Sequence, residues 1–317
     1  NKFSDIIQAN KNKIVGVDMK NKHRGELLLF LTSFIWGFAF IAQKLGSDYI
    51  PPFTFNFLRN LTAGLFLLIY SFVRKNKTRE KMNSITKTAT IRGGITTGLV
   101  MAIAVSFQQT GVYFTTSGKA GFITSLYVVI VPIIAIFMGK KVSKKTAIAI
   151  ILALIGLYLL TVKVEDGFSI NKGDILIFIG SLFFAFHILF IDHYSVKSDS
   201  VKMSMLQFFV ASLVSLFLMI LFEKPELDLV IKGILAILYL GVFSSGLGYT
   251  LQIVAQKDTD PTISSLILSL EAVFAALFGF IFLKEVPNDR ELIGGILMFF
   301  AIILAQLPNS MIKKIFK

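Results

Sequence analysis

A short segment near the start of the chain recurs 148 positions later. The stretches Gly25–Trp36 and Gly173–Phe184 carry Gly, Leu, Phe and Ser at the same relative positions. Each copy opens a series of five strongly apolar segments. Because five is odd, the second series must cross a membrane in the opposite direction from the first. The repetition therefore predicts two structural repeats of inverted topology.

The composition requires a membrane environment. Of the 317 residues, 55% are hydrophobic and only 16% are charged, which is far from the balance of a soluble globular protein. A helix needs about 20 mainly apolar residues to span a bilayer. The segments that meet this requirement lie at 26–46, 52–73, 92–113, 117–138, 145–162, 173–191, 202–222, 230–255, 261–283 and 291–307. We therefore expect an all-α integral membrane protein of ten transmembrane helices.

The chain divides in the middle of its ten segments. We predict a polar N-terminal extension at residues 1–21, a first five-helix repeat at 22–163 and a second five-helix repeat at 164–317. The connections between the segments are short and rich in turn-forming residues, so they leave no room for a soluble domain. Functional side chains are accordingly expected within the membrane.

The excess of basic residues indicates orientation rather than a nucleic-acid partner. The chain has 32 Lys and Arg against 19 Asp and Glu, and most of the basic residues lie in alternate connections rather than in one patch. Because cytoplasmic connections retain such residues, both termini are predicted to be cytoplasmic. The chain has no cysteine and its histidines lack metal-ligand spacing, so no metal or cofactor is expected.

The repetition continues through the rest of each half with an offset of 144. Residues 115–127 align without gaps with residues 259–271. The resulting polar pairs are Tyr127 with Glu271, Gln108 with Gln252 and, at the offset of 148, Arg59 with Gln207. The two halves therefore share a scaffold but differ in charge at matched positions.

Three further stretches resemble a known family. They are Ser33–Phe40 in segment 1, Gly121–Pro132 in segment 4 and Ser269–Leu277 in segment 9. Together with the ten-segment layout, they look like the EamA-type, ten-helix branch of the drug/metabolite transporter (DMT) superfamily, over about residues 22–308. The resemblance implies a secondary carrier whose central cavity is framed by helices 1–4 and 6–9. Pro132 is expected to bend segment 4, whereas segment 9 has Ala272 where the family often has Pro.

The resemblance implies transport, and the chain contains no Gly-rich phosphate-binding loop for ATP. We expect a secondary active transporter, not an enzyme, that exports or exchanges a small metabolite or drug-like solute by alternating access. A lipid-carrier flippase or an importer of the same fold is the alternative, and an intramembrane lipid-modifying enzyme is a remote one. The expected partners are a small-molecule substrate, the lipid bilayer and a proton or counter-substrate, without nucleic acid. We expect a monomer or homodimer in the plasma membrane of a bacterium.

Charged residues at membrane depth are the first candidates for a site, because each is costly when it faces lipid. Glu271 lies deep in segment 9; it is expected to bind a cation or carry a proton, or else to be a neutral, hydrogen-bonded carboxyl. Arg59 in segment 2 keeps its charge and is expected to grip a carboxylate or phosphate, or else to form a packing ion pair or reach the interface. Lys119 and Lys44 would together make the outer vestibule positive and favour an anionic or zwitterionic solute, or simply reach the headgroups.

Neutral polar and aromatic residues complete the predicted translocation site. Gln108 and Gln252 can each donate and accept hydrogen bonds, and the alternative is a bond between helices. Trp36 lies too deep for an interfacial belt and is expected either to stack on a substrate or to pack. Tyr127 is included as the repeat counterpart of the segment 9 carboxylate. His187 is expected to be a buried imidazole or a minor cavity group.

Overall fold

The predicted segments are helical in the computed structural model, which describes residues 19–77, 83–115, 117–161, 171–284 and 286–307. The helices of the first half are α1 (Met19–Ser47), α2 (Pro52–Lys77), α3 (Ser84–Val112), α4a (Ser117–Ser125), α4b (Tyr127–Phe137) and α5 (Lys144–Thr161). Those of the second half are α6 (Lys172–Ser195), α7 (Ser200–Phe222), α8 (Ile234–Ala255), α9a (Pro261–Leu268), α9b (Glu271–Phe278) and α10 (Asp289–Gln306). Most of the predicted extension at 1–21 lies outside the described residues.

Eight stretches of the described chain are helical, long and apolar enough to cross a membrane. They coincide with α1, α2, α3, the α4 pair, α6, α7, α8 and the α9 pair. Large apolar side chains point outward from these helices, and Phe137 is 87% exposed, as expected where the surroundings are lipid. The chain is therefore an all-helical, multi-pass membrane protein over its described part. Helices α5 and α10, of 18 residues each, are not among the eight. That they span the membrane stays a prediction.

Capping residues fix where several helices begin. Asn171 and Asn288 start α6 and α10 with capping boxes, in which the side chain of the cap and an acidic side chain three residues later bond to each other's backbone N–H. Helix α2 is capped from elsewhere in the chain. The carboxylate of Glu223, at the end of α7, accepts hydrogen bonds from the backbone N–H groups of Phe53 at 2.8 Å and Thr54 at 2.7 Å. This contact joins the end of α7 to the start of α2.

A tyrosine joins the same end of the bundle. The hydroxyl of Tyr113, just after α3, donates a hydrogen bond to the carbonyl of Ile50. Burial, with the negative charges of Glu223 and Asp48, raises the pKa of Tyr113 to about 12. Tyr113 therefore remains a hydrogen-bond donor at neutral pH.

The repeated glycines permit close packing in both halves. A Cβ atom on Gly25 would lie 3.0 Å from the carbonyl oxygen of Ala255, and a Cβ on Gly173 would lie 2.6 Å from that of Gly111. Ala255 ends α8 and Gly111 lies near the end of α3, and the two are 144 residues apart. Helix α1 thus meets α8 as α6 meets α3. The glycine that opens each copy of the recurring segment is required by a similar backbone approach.

The remaining packing leaves α5 and α10 beside the main bundle. Helix α2 packs along α7, α3 packs against α6 and α7, and α1 packs against α8 and the α9 pair. Helices α5 and α10 pack mainly against each other. They cross at Gly156 and Gly294, where a Cβ on Gly156 would lie 2.7 Å from the carbonyl oxygen of Gly294. The other helices surround the interior in which the candidate site lies.

Candidate functional site

Helices α4 and α9 are both interrupted. Leu126, between α4a and α4b, has φ −60° and ψ −14°, and Leu270, just before α9b, has the same two angles. These leucines are 144 residues apart, which is the offset of the internal repetition. The first residues after the interruptions are Tyr127 and Glu271, so both candidates begin a half-helix.

The interruptions do not depend on proline. Pro132 lies inside the continuous α4b, not at the interruption, and α9 is interrupted although Ala272 stands where the related family often has Pro. At both places the backbone N–H of the leucine bonds to the carbonyl three residues earlier, at 3.3 Å in α4 and 3.1 Å in α9. This is the spacing of a tight 3₁₀ turn. A local 3₁₀ turn therefore separates each pair of half-helices.

The two interruptions face each other through their side chains. The hydroxyl of Tyr127 donates a hydrogen bond to Oε1 of Glu271 at 2.8 Å, and Ser125 Oγ donates to the same oxygen at 3.4 Å. Tyr127 is 3% and Glu271 is 4% exposed. A buried carboxyl group is costly unless its oxygens are hydrogen-bonded. The α4 interruption therefore supplies the polar surroundings of the α9 carboxyl group.

A buried cavity adjoins this pair. Its volume is about 40 Å³, which is room for roughly three water molecules. The lining residues are Trp36, Ala39, Phe40, Gln43, Arg59, Gln108, Thr124, Tyr127, Phe184, Ser244, Tyr249 and Glu271. The candidates predicted from sequence that the structure brings together here are Trp36, Arg59, Gln108, Tyr127 and Glu271. The side chain of Lys119 lies outside the described residues, although its backbone belongs to α4a.

Arg59 brings a permanent positive charge to the cavity. The residue is 5% exposed, and its Nε atom has no hydrogen-bond partner. The salt bridges among the described residues join other groups, so the predicted packing ion pair is not formed within that part of the chain. Tyr249 lines the same cavity as Arg59 and Glu271. Because a buried cation without an anion is costly, this guanidinium suits an anionic group from outside the chain.

The middle of α8 contributes Ser244 and Tyr249 to the cavity lining. Residues Leu240–Tyr249 are π-helical, an arrangement that is frequent at functional sites. The indole Nε1 of Trp36 donates a hydrogen bond to the carbonyl oxygen of Ser244 at 3.0 Å. The rings of Trp36 and Tyr249 lie 4.5 Å apart and are tilted by 46°. Trp36 is thus held in place by the π-helix while its ring faces the cavity.

The π-helix also accounts for a small irregularity between the halves. A Cβ on Gly98 would lie 2.7 Å from the carbonyl oxygen of Gln207, and a Cβ on Gly241 would lie 3.0 Å from that of Arg59. The two glycines therefore hold equivalent places in α3 and α8, and they are 143 residues apart. Further along the two helices the sequence offset is 144. Helix α8 thus contains one additional residue, which a π-helix accommodates.

Side-chain amides line the part of the cavity next to α3. Gln43 Nε2 donates to Gln108 Oε1 at 3.4 Å and to Gln109 Oε1 at 3.2 Å. Gln108 Nε2 donates in turn to Thr124 Oγ1 at 3.0 Å. The amides of Gln43 and Gln108 and the hydroxyl of Thr124 thus form a hydrogen-bonded polar wall of the cavity. On α2, neither amide atom of the buried Asn60, which does not line the cavity, has a hydrogen-bond partner.

Some cavity residues were missed by sequence reasoning, although helical spacing identifies them. Phe40 and Gln43 lie four and seven residues after Trp36, and Thr124 lies three residues before Tyr127. Such spacings place side chains on one face of a helix. The lining residues of α8 give no such signal, because a π-helix departs from the 3.6-residue period.

Two predicted residues lie outside the cavity. His187 is buried, and its Nε2 is 2.8 Å from Gln207 Oε1. Gln252 Nε2 donates to Gln256 Oε1 at 2.9 Å. The sequence pairs Gln252 with Gln108, but the structure does not place the two amides in one site. Ser244 and Tyr249 are the residues of α8 that line the cavity, whereas Gln252 bonds along its own helix.

Comparison with known proteins decides the family. The EamA-like transporter family matches residues 23–162 and 171–307, which is most of the chain. The chain belongs to this family. The family description and the names of its relatives indicate a transporter rather than an enzyme.

The relatives of this EamA-family chain span distant organisms. It is 33% identical over 284 residues to an uncharacterized transporter of Archaeoglobus fulgidus, covering 89% of this chain and 85% of the relative. It is 24% identical to a chloroplastic WAT1-related protein of Arabidopsis thaliana, covering 87% of this chain and 68% of that protein. A solved crystal structure with 16% identity superposes with a TM-score of 0.74, covering 89% of this chain and 96% of the other. At that identity the structural match supports the fold alone.

Proposed function

We propose that this EamA-family protein is a secondary carrier that exports or exchanges a small anionic or zwitterionic solute by alternating access. The observation that carries the proposal is the presence of Arg59 and Glu271 in one buried cavity. Within the described residues no salt bridge joins them. A guanidinium can bind a carboxylate or phosphate through two hydrogen bonds, and the carboxyl group can bind an ammonium or a proton.

The other cavity walls suggest the remaining chemistry of the solute. Trp36, Phe40, Phe184 and Tyr249 offer aromatic surface, whereas the Gln108 amide offers a donor and an acceptor. Ligand sites commonly combine largely apolar walls with a few polar groups that fix orientation. The proposed solute therefore carries an apolar part beside its charged group.

The small volume of the cavity supports alternating access. A space of about 40 Å³ is too small for a metabolite, whose sites usually measure about 300 Å³ or more. The helices must separate to admit a solute. In secondary transporters with inverted repeats, discontinuous helices meet at the substrate site near the bilayer midplane. The matched interruptions at Leu126 and Leu270 fit that arrangement.

The proposed topology comprises two inverted five-helix repeats, at 22–163 and 164–317, with α5 and α10 crossing the membrane and both termini in the cytoplasm of a bacterial cell. The equivalent glycine contacts of α1 with α8 and of α6 with α3 support the repeats. A proton on Glu271 or a counter-solute on Arg59 is the proposed source of coupling.

The experiment that tests the function is a solute screen on the purified protein. Amino acids, organic anions, sugars, nucleosides and organic cations would be compared by thermal shift, and any hit would be tested for flux in proteoliposomes. We expect hits among anionic and zwitterionic compounds with an apolar part. The Arg59→Gln variant should melt at the wild-type temperature without solute, and these compounds should no longer shift its melting temperature. Hits confined to sugars or organic cations, unaffected by this substitution, would contradict the proposal.

A further inference from the structure

A second cavity lies at the ends of two helices, separate from the central one. Its volume is about 400 Å³, within the usual range of ligand sites. Its walls come from the first turns of α3 and the last turn of α6 with the residues that follow it. The lining residues are Ser84, Ile85, Thr88, Ala89, Arg92, His193, Tyr194 and Lys197. This cavity is called the α3–α6 groove below.

The groove lies at the level of lipid headgroups. The candidate membrane spans Ser84–Val112 and Lys172–Ser195 both terminate at it, one at its start and the other at its end. Residues at the ends of membrane-spanning helices lie in the interfacial region of a bilayer. This depth follows from the helix ends alone and holds for either orientation of the chain.

The floor of the groove is closely packed. A Cβ atom on Gly93 would lie 2.8 Å from Cβ of Tyr194 and 3.0 Å from Sδ of Met203, so α3 and α6 approach closely beneath the groove. Thr90 Oγ1 also accepts a hydrogen bond from the backbone N–H of Asp199 at 3.0 Å. These contacts hold the two walls at a fixed separation.

The charge of the groove is positive. Arg92, His193 and Lys197 are exposed, and none of them takes part in the salt bridges found among the described residues. Two acidic residues near the same helix ends bind other cations: Asp192 accepts from Lys140 at 2.7 Å and Asp199 from Arg74 at 3.3 Å. The groove thus presents the guanidinium of Arg92 and the ammonium of Lys197, and neither Asp192 nor Asp199 pairs with them.

The groove is also amphipathic. Hydroxyl groups of Ser84, Thr88 and Tyr194 accompany the basic side chains along its walls. Ile95, three residues further into α3 than Arg92 and on the same face of the helix, is 44% exposed and provides apolar surface on the side nearer the membrane interior. A ligand that fits this surface has an anionic, hydrogen-bonding head and an apolar tail.

We propose that the α3–α6 groove binds the phosphate headgroup of an anionic phospholipid. Arg92 and Lys197 bind the phosphate, the hydroxyl groups bond to its oxygens or to the headgroup alcohol, and Ile95 contacts an acyl chain. Basic pockets between membrane helices at the interface recognise anionic lipids in this way. The inference concerns lipid and does not depend on the identity of the transported solute.

Native mass spectrometry of the detergent-purified protein tests the proposal. Phosphatidylglycerol and phosphatidylcholine with the same acyl chains would be titrated against the wild type, the double variant Arg92→Gln/Lys197→Gln and the charge-matched control Lys141→Gln/Lys144→Gln. We expect the wild type to prefer phosphatidylglycerol. The groove variant should bind it roughly tenfold to thirtyfold more weakly, from about 1 kcal/mol per basic residue. The control should change binding less than about twofold.

Competition with inorganic phosphate and glycerol phosphate distinguishes a lipid from a soluble phosphate. Both should leave the lipid bound at tenfold excess, because neither has an acyl chain. Displacement by these ions, no preference between the two lipids, or equal losses in the groove and control variants would each overturn the proposal. If the double variant does not fold, the single Lys197→Gln substitution tests the same point with an expected loss of about fivefold.

Discussion

The hydroxyl of Tyr127 donates to Oε1 of Glu271 at 2.8 Å, so a residue and its counterpart in the internal repeat are bonded to each other. Each begins the second part of an interrupted helix. A bond between counterparts lies on the pseudo-symmetry axis that relates the two halves, if the halves are repeats as proposed. The hydrogen bond therefore joins the two halves directly.

Replacement of Glu271 by Gln is expected to abolish coupled transport while the protein still inserts and folds. Gln preserves the shape and can still accept from Tyr127, but it can neither carry a proton nor bind a cation as a carboxylate does. Proteoliposome flux of the solute found in the screen should fall at least tenfold or become independent of a pH gradient. The exposed Glu226→Gln is the matched control and should retain flux. Full flux with an unchanged pH profile in Glu271→Gln would exclude this role.

Replacement of Tyr127 by Phe is expected to remove the hydrogen bond between the halves without creating a cavity. The loss of one bond to a buried carboxyl group should lower the free energy of unfolding by about 1 kcal/mol. It should also change the pH profile of flux, since Glu271 loses a donor. Thermal melting and flux at several pH values measure the two effects. Tyr70→Phe, at an exposed position, should alter neither; equal behaviour of the two variants would show that the bond has no functional consequence.

Substitution of Arg59 tests the binding of the anionic group. Arg59→Lys keeps the charge but loses the planar pair of donors, so KM for the solute should rise about tenfold, the equivalent of one charge-assisted hydrogen bond. Arg59→Gln should abolish saturable flux. Concentration dependence of flux in proteoliposomes provides both values. A KM unchanged in both variants would show that the guanidinium does not contact the solute.

The sequence was sufficient for the positions of the helices and for much of the cavity. The length of each apolar segment located its helix to within a few residues at most ends, and a charged residue within such a segment identified Arg59 and Glu271 as candidates. Both properties can be read from a single stretch of sequence. The interruptions were not predictable in the same way. A 3₁₀ turn at Leu126 needs no proline or glycine, so it leaves no compositional mark.

The π-helix of α8 was also beyond sequence reasoning. It brings Tyr249 to the cavity, at a position to which no helical spacing in the sequence points. The additional residue is indicated only by a difference between two offsets, 143 between Gly98 and Gly241 and 144 further along the helices. The contacts that make these two glycines equivalent are visible only in the structure. The resemblance to the EamA-type transporters was confirmed by the family match.

Cysteine labelling at two positions tests whether α5 crosses the membrane. The chain has no native cysteine, and both Lys87 and Glu226 are exposed. With α5 in the membrane, a cysteine replacing Lys87 should be cytoplasmic and one replacing Glu226 external. An impermeant maleimide should therefore label Glu226→Cys in intact cells but label Lys87→Cys only after permeabilisation. If α5 does not cross, four spans instead of five separate the two positions, and both cysteines will be on the same side.

The contact between helices α5 and α10 should tolerate no side chain larger than hydrogen at Gly294. A Cβ on Gly294 would lie 2.5 Å from the carbonyl oxygen of Gly156 and 2.5 Å from the backbone nitrogen of Leu160. Both are backbone atoms, which cannot move aside as a flexible side chain can. Gly294→Ala should therefore lower the free energy of unfolding by about 1–3 kcal/mol. Gly121→Ala is the matched control, because a Cβ there meets nothing within 4 Å, and it should be neutral or up to about 1 kcal/mol stabilising through helix propensity. Thermal melting of the purified variants in detergent gives the comparison, and a Gly294→Ala protein as stable as Gly121→Ala would show that α5 and α10 do not pack at this crossing.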